Sequence, residues 1–204
     1  MVYQNKEVNP VATLGDFIWI KDGSLSKKQC KNILKKFEES EESHYVGKIG
    51  RDEINQQVKQ TIDFQVTNAK GWEDIDSILF KALKQGLDEY VSYCTSFHPC
   101  LQISNLFTFH DTGYQIQRYE PEGFYEWHQD WTMDDDASRV YTYIWYLNTI
   151  KKKDGGYTQF IDGTKMQPKA GRLVMFPALW PYLHRAFPPK VRKYICTGWI
   201  YAKL

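Results

Sequence analysis

Two side chains that could share a metal ion lie close together in the second half of the chain. His128 and Asp130 are two positions apart, and on a β-strand this spacing puts both side chains on one face. His184 is the only histidine that follows this pair. Two imidazoles and one carboxylate on one side of a metal ion suit Fe(II), and they leave coordination positions open for small ligands and oxygen. The three residues therefore predict a ferrous site.

The spacing by itself is weak evidence, because an H-x-D pair occurs by chance in many proteins as a surface or hydrogen-bonded pair. A second feature follows His184 by nine residues. Lys193 begins a strand whose same-face partners are Ile195, Thr197 and Trp199. A cation among inward-facing apolar side chains needs an anionic partner, because an unpaired buried charge is costly. A dicarboxylate cosubstrate would supply that partner.

Composition restricts the class of protein. A chain of 204 residues suits one domain with a substantial core. The 26 basic residues nearly balance the 25 acidic ones, so the net charge indicates neither nucleic acid nor a membrane surface as a partner. The N-terminus lacks the pattern of a signal peptide, and no apolar run approaches the roughly 20 residues that span a bilayer. We expect a soluble, cytoplasmic protein.

The four cysteines also indicate a cytoplasmic protein. None of them is part of a C-x-x-C motif, and three lie in helical or apolar strand patterns. Buried free thiols in a reducing compartment are therefore expected rather than a disulfide framework. The cysteines are Cys30, Cys94, Cys100 and Cys196.

The first hundred residues predict two helices and short strands. Apolar residues recur every three or four positions in two stretches, which is typical of amphipathic helices. The first helix should begin at a Ser24 or Ser26 cap and end near Glu39, and the second should run from 74 or 76 to 96. We expect short strands at 17–20 and 61–66, with a loop or weak hairpin at 44–60.

From residue 101 onward the pattern changes to eight short alternating segments divided by glycine and proline, which predicts a β-sandwich or barrel. The upstream helices should then cover one face of the sheet. The expected fold is α+β. The chain should form one domain over 1–204, with 1–100 as a helical support region and 101–204 as the β core.

Six pieces of the β region, taken in order, carry a family resemblance. Residues 119–199 resemble the double-stranded β-helix (jelly-roll) core of Fe(II)- and 2-oxoglutarate-dependent oxygenases, and more narrowly the prolyl 4-hydroxylase-like branch. The matching pieces are Y-x5-Y-x2-H-x-D, R-V-Y-T-Y-I-W-Y-L-N, D-G-G-Y-T-Q-F, P-K-A-G-R-L-V-M-F, L-H-R-A-x-P-P and K-Y-x4-W.

The resemblance implies site residues. His128, Asp130 and His184 are the expected iron ligands. Lys193 takes the position whose cation pairs with the distal carboxylate of 2-oxoglutarate. Because an ammonium is a point charge, the Tyr146 hydroxyl is expected to supply a second contact.

Three further positions follow from the same match. Tyr119 matches a tyrosine near the iron-binding end of the cosubstrate, although it lies one residue closer to the H-x-D pair than in some relatives. Thr142 and Thr158 face inward on the matched strands. As interpretations they either line the cosubstrate pocket or simply pack within the core.

The activity implied is hydroxylation of a peptidyl residue, with proline at C4 as the leading substrate. The resemblance implies Fe(II), 2-oxoglutarate and O2 as cofactors, succinate and CO2 as coproducts, and ascorbate as a supporting reductant. The resemblance implies a peptide or protein substrate, with a proline-rich sequence as one candidate. As interpretations, Trp131, Trp180 and Tyr182 either form a wall for such a peptide, because aromatic grooves suit extended proline-rich chains, or pack at the rim of the barrel.

Two alternatives stay open at this point. The same cosubstrate chemistry could act on a lysyl side chain, a small molecule or a nucleobase. The β core could instead be a cupin-like binding module without catalysis.

Overall fold

Two α-helices lie in the N-terminal half of the chain. The computed structural model describes residues 12–50, 52–97, 101, 108–134 and 137–203. Within these ranges, α1 spans Lys27–Glu38 and α2 spans Glu73–Phe97. The Ser26 hydroxyl accepts from the Gln29 amide, and the Gln29 side chain accepts from the Ser26 amide. This reciprocal capping satisfies two backbone donors at the start of α1. Both predicted helices are confirmed, with Ser26 as the cap of the first.

The strands form two antiparallel sheets. The larger sheet contains β1 (Trp19–Lys21), β2 (Tyr45–Val46), β3 (Ile62–Gln65), β4 (Thr108–Asp111), β5 (Gln115–Tyr119), β7 (Met133–Asp134), β8 (Ala137–Tyr146), β11 (Arg172–Pro177) and β13 (Lys193–Lys203). The smaller sheet contains β6 (Tyr125–His128), β9 (Thr158–Phe160), β10 (Lys165–Met166) and β12 (His184–Ala186).

The order of the strands differs from their order in sequence. The main path of the larger sheet is β1-β11-β8-β13-β5-β3-β2, with β4 paired to β13 and β7 to β8. The smaller sheet has the order β10-β9-β12-β6. Neighbours in each sheet are therefore remote in sequence. This pair of antiparallel sheets agrees with the predicted double-stranded β-helix core.

The side chains of strand β8 alternate between two hydrophobic clusters, one on each face of the larger sheet. Tyr143 and Trp145 point to a cluster that includes residues of α1 and α2. Ile144 and Tyr146 point to a second cluster, which lies between the two sheets. Because side chains alternate along a strand, the helices occupy one face of the larger sheet and the smaller sheet covers the other.

Two strand predictions need correction or fall outside the described residues. The strand expected at 17–20 begins only at Trp19, because Leu14–Phe17 forms a short 3-10 helix. Asp16 accepts from both the amide and the hydroxyl of Thr13 and so stabilises that turn. The predicted series of alternating segments begins at residue 101, and positions 102–107 of it lie outside the described residues. Neither described helix has the length and apolar character needed to cross a bilayer.

Gly171 joins the larger sheet to the loop before α1. Its amide donates to the Tyr146 carbonyl at 2.9 Å, and its carbonyl accepts from the Leu25 amide at 3.2 Å. Its φ is +83°, and a Cβ atom would lie 1.9 Å from the Leu25 carbonyl oxygen. The chain therefore cannot keep this approach with any residue larger than glycine.

We expect Gly171→Ala to lower the free energy of unfolding by about 3 kcal/mol or more, because it combines left-handed strain with a backbone clash. Gly163→Ala is the matched control, since Gly163 also has a positive φ but nothing lies within 4 Å of its Cβ position. The control should lose only about 1 kcal/mol. Urea denaturation followed by circular dichroism measures both values, and equal losses would contradict the clash.

Candidate active site

Three potential metal ligands meet where the smaller sheet ends. His128 and His184 lie directly opposite one another in the pairing of β6 with β12. Asp130 follows β6, so the prediction that it shares a strand with His128 is wrong. Its carboxylate nevertheless turns toward both imidazoles, with Oδ1 3.8 Å from Nε2 of His128 and Oδ2 3.6 Å from Nε2 of His184. One atom from each residue lies within 4.8 Å of the others, so the cluster could hold a metal ion.

The backbone fixes the orientation of both imidazoles. Nδ1 of His128 lies 2.7 Å from the Glu126 carbonyl oxygen, and Nδ1 of His184 lies 3.0 Å from the Tyr182 carbonyl oxygen. A carbonyl only accepts, so each Nδ1 must carry a proton and donate it. In a neutral ring this leaves the Nε2 lone pair directed at the Asp130 side, which is the arrangement a metal ligand requires.

The charge states also suit a cation. Burial and the neighbouring His184 lower the pKa of His128 to about 3, so this imidazole is neutral at physiological pH. Burial acts to raise the pKa of Asp130, but the two imidazoles and the Thr142 hydroxyl outweigh it and hold the pKa below its ordinary value. Thr142 Oγ1 donates to Asp130 Oδ2 at 2.7 Å. The site thus presents two imidazole nitrogens and one carboxylate oxygen, a donor set that fits Fe(II).

Lys193 provides the second chemical feature of this cavity. It is fully buried, and it lies opposite Tyr119 in the pairing of β13 with β5. Among the described residues, no group accepts a hydrogen bond from its Nζ, which lies 4.7 Å from the Tyr119 ring centroid and 5.9 Å from that of Tyr146. Burial alone lowers the pKa of Lys193 to about 7. A carboxylate of 2-oxoglutarate fits here, because it would supply the missing acceptor and counter-charge.

We expect Lys193→Met to raise the free energy of unfolding by roughly 1–3 kcal/mol, since it removes a buried donor without a partner and keeps most of the side-chain volume. Thermal denaturation in the absence of added metal and cosubstrate measures the change. This variant should also lose affinity for 2-oxoglutarate, because we expect the lysine to lower folding stability while it serves cosubstrate binding. A variant less stable than the wild type would show that the ammonium has an unrecognised structural partner.

Tyr146 and Tyr119 are the other two residues expected to contact the cosubstrate. The hydroxyl of Tyr146 donates to Thr158 Oγ1 at 2.7 Å, and Thr158 lines the same cavity as the triad and Lys193. The contact predicted for Tyr146 could therefore be made by the Thr158 hydroxyl that it supports. Tyr119 also lines the cavity, with its hydroxyl donating to Gln117 Oε1 at 3.1 Å. The roles of these residues stay predictions.

A groove opens next to the cavity. It has a volume of about 570 Å³ and lies between residues 45–50 and the residues that follow β6. Four residues line both the groove and the cavity: Gln117, Tyr125, Asp130 and Trp199. A molecule bound in the groove would therefore reach the carboxylate of the triad.

Of the three aromatic residues expected at the mouth, only Trp131 lines this groove. Trp180 is 73% exposed and is not part of the groove lining. Tyr182 is buried between the sheets, with its ring 6.5 Å from that of Phe176, so of the two interpretations only packing fits this residue. The short 3-10 helix Trp180–Tyr182 turns these two aromatic side chains in different directions.

Sequence reasoning missed two residues that shape the site. Tyr125 stacks on the His128 ring at 3.6 Å, and Arg139 lies 3.9 Å over the Trp199 ring while it donates to the Asp130 carbonyl. Both belong to motifs noted above, Tyr125 in Y-x2-H-x-D and Arg139 at the start of β8. Only their pairing across the fold distinguishes them from ordinary strand residues.

Comparison with known proteins agrees with this geometry. Residues 114–201 match the model of the 2OG-Fe(II) oxygenase superfamily. A search of curated protein sequences found no match.

Several solved structures share the fold. A viral collagen prolyl hydroxylase from Paramecium Bursaria Chlorella virus-1, solved as its 2OG complex, is 20% identical with a TM-score of 0.66, and the match covers 91% of this chain and 96% of that one. A prolyl hydroxylase from Trichoplax adhaerens, solved with a hypoxia inducible factor peptide fragment, is 17% identical with a TM-score of 0.71, over 91% and 84% of the two chains. A Pseudomonas putida prolyl-4-hydroxylase is 17% identical with a TM-score of 0.64, over 89% and 91%.

These TM-scores establish a shared fold, and the family match covers the segment that carries the ligand triad and the buried lysine. Residues 114–201 of this chain thus match the 2OG-Fe(II) oxygenase superfamily in sequence, and the chain has the fold of the prolyl hydroxylases named above.

Proposed function

We propose that this chain is an Fe(II)- and 2-oxoglutarate-dependent dioxygenase that hydroxylates a peptidyl residue, with proline at C4 as the favoured target. The observation that carries the proposal is that one cavity holds both the His128–Asp130–His184 cluster and the ammonium of Lys193, which has no hydrogen-bond partner in the part of the chain that the structure describes. A metal centre alone requires only the cluster. A dicarboxylate cosubstrate accounts for the buried cation as well.

Each residue of the cavity would have a defined task. Nε2 of His128, Nε2 of His184 and the Asp130 carboxylate would hold Fe(II), and Thr142 would keep that carboxylate oriented. Lys193 would bind the distal carboxylate of 2-oxoglutarate. When bound, these cofactors supply the oxidation, in which one oxygen atom of O2 enters succinate as CO2 is released and the other becomes the hydroxyl group of the product.

The groove supports a peptide as substrate. It is lined by Tyr45, Trp131 and Trp199 and by polar side chains, a combination that suits an extended chain with backbone hydrogen-bonding groups. The Trichoplax adhaerens enzyme of the same fold was solved with a peptide fragment. A proline-containing peptide in polyproline conformation would pack its rings on such aromatic faces.

We also propose that the whole chain forms one oxygenase domain and acts in the cytoplasm. Cys30, Cys94 and Cys196 are buried free thiols, which supports a reducing compartment.

The proposal is tested in two stages. Anaerobic addition of Fe(II) and 2-oxoglutarate should produce a weak visible charge-transfer band, and its absence would refute the cosubstrate assignment. Aerobic incubation with proline-containing peptides should then yield succinate and a peptide heavier by one oxygen atom, with fragmentation locating the hydroxyl on proline. Matched peptides with alanine or lysine in place of proline are the controls. Oxidation of the lysine peptide instead would transfer the proposal to a lysyl substrate.

A further inference from the structure

A series of side-chain hydrogen bonds runs along one face of β5, from the cavity to the groove. Tyr119 Oη donates to Gln117 Oε1 at 3.1 Å, and Gln117 Nε2 donates to Gln115 Oε1 at 2.7 Å. Gln115 Nε2 then donates to Tyr45 Oη at 2.9 Å. We call these four residues the amide relay. Tyr119 lines only the cavity, Gln115 and Tyr45 line only the groove, and Gln117 lines both.

The relay decides where the single proton of the Tyr119 hydroxyl points. In the arrangement described, that proton is donated to Gln117, so toward the cavity the phenol oxygen can only accept. A carboxylate also only accepts, and two acceptors facing each other repel. Lys193 Nζ lies 4.7 Å from the centroid of the Tyr119 ring, and both residues line the triad cavity, so the direction of the hydroxyl proton matters to an anionic cosubstrate bound there.

The same four residues can be hydrogen-bonded in the opposite direction with no loss of bonds. Each glutamine carries one acceptor oxygen and one donor NH2 group, and a tyrosine hydroxyl at each end can both donate and accept. In the reversed series Tyr45 donates to Gln115, Gln115 to Gln117, and Gln117 to the Tyr119 oxygen. The Tyr119 hydroxyl is then able to donate its hydrogen bond toward the cavity.

We propose that Gln115 and Gln117 are positioning residues that couple the groove to cosubstrate affinity by reversing this relay. A peptide N–H that donates to Tyr45 in the groove favours the reversed direction, and so favours binding of 2-oxoglutarate through Tyr119. By reciprocity, bound 2-oxoglutarate strengthens binding of that peptide. This inference rests on the proposed function, because it assigns the relay a role in binding that cosubstrate.

Gln115→Glu tests the direction of the relay. A carboxylate at this position can only accept, so it holds Gln117 Nε2 toward itself and keeps the Tyr119 proton on Gln117. Gln65→Glu is the matched control, because Gln65 lies directly opposite Gln115 in the β3–β5 pairing, lines the groove and stands outside the relay. Both variants add the same charge at neighbouring positions.

The readout is the dissociation constant of 2-oxoglutarate, from anaerobic titration of the visible band in the Fe(II)-loaded protein. Gln115→Glu should weaken binding by roughly two- to tenfold relative to Gln65→Glu, the effect of one net hydrogen bond. In a Tyr119→Phe background the difference should disappear. Equal dissociation constants, or a difference that persists without the Tyr119 hydroxyl, would overturn the relay.

A second variant covers the case in which Gln115→Glu does not fold. Gln115→Met removes the acceptor that holds Gln117 in the described direction, so its affinity for 2-oxoglutarate should equal or exceed that of the wild type. Weaker binding by Gln115→Met would contradict the proposal. A wild-type protein that gives no visible band would instead refute the proposed function, so the two failures are distinguishable.

Discussion

Replacing His128 with alanine should abolish turnover and weaken Fe(II) binding by roughly 100-fold or more, since loss of even an outer-shell contact costs about 10–100-fold in metal affinity. The ring of His128 lies 4.2 Å from that of His184, and its Nε2 is directed at Asp130, so its loss leaves one imidazole and one carboxylate. Two ligands cannot hold the ion in a fixed geometry with defined open positions. Equilibrium dialysis under anaerobic conditions measures the metal affinity, and succinate release measures turnover.

His110→Ala is the matched control, because His110 is exposed on β4 and takes no part in the cluster. It should bind Fe(II) and release succinate like the wild type. Circular dichroism establishes that both variants are folded. A folded His128→Ala protein with wild-type iron affinity would show that the metal lies elsewhere.

Replacing Lys193 with alanine should raise the dissociation constant of 2-oxoglutarate by about 100-fold or more, since truncating one member of a buried charge pair costs about 2–5 kcal/mol. Fe(II) affinity should stay close to that of the wild type, because Lys193 is not part of the triad. The visible band reports cosubstrate binding separately from metal binding. Lys190→Ala, at an exposed position of the adjoining loop, is the control. Equal loss in both variants would argue for a general charge effect.

The same lysine predicts a pH dependence. Burial lowers the pKa of Lys193 to about 7, so above this pH the free protein carries a neutral amine. Binding of a dianion favours the ammonium, and therefore takes up a proton in that range. The dissociation constant of 2-oxoglutarate should rise with pH, by up to about tenfold per unit between pH 7 and pH 8.5, and Lys193→Ala should remove this dependence. A pH-independent constant in the wild type would mean that the amine stays charged without its ligand.

Much of the fold could be predicted because local patterns and burial agree. The apolar stripe of α2 is spaced for one helix face, and α1 carries a capping sequence at Ser26. Both signals depend only on neighbours in the chain. Two boundaries were predicted wrongly: the strand expected at 17–20 starts late because a capped 3-10 helix precedes it, and β6 ends at His128, before Asp130. The alternation of polar and apolar residues does not indicate either boundary.

The chain by itself determined which residue types were available for chemistry: two imidazoles, one carboxylate and one lysine in a strand of inward-facing apolar residues. The tertiary structure decided their relations. Pairing of β6 with β12 sets His128 opposite His184, and pairing of β13 with β5 sets Lys193 opposite Tyr119, across gaps of more than fifty residues. Such register depends on the packing of both sheets around a shared core, and no local pattern encodes it. The amide relay from Tyr45 to Tyr119 has the same origin, because β2 reaches β5 only through β3.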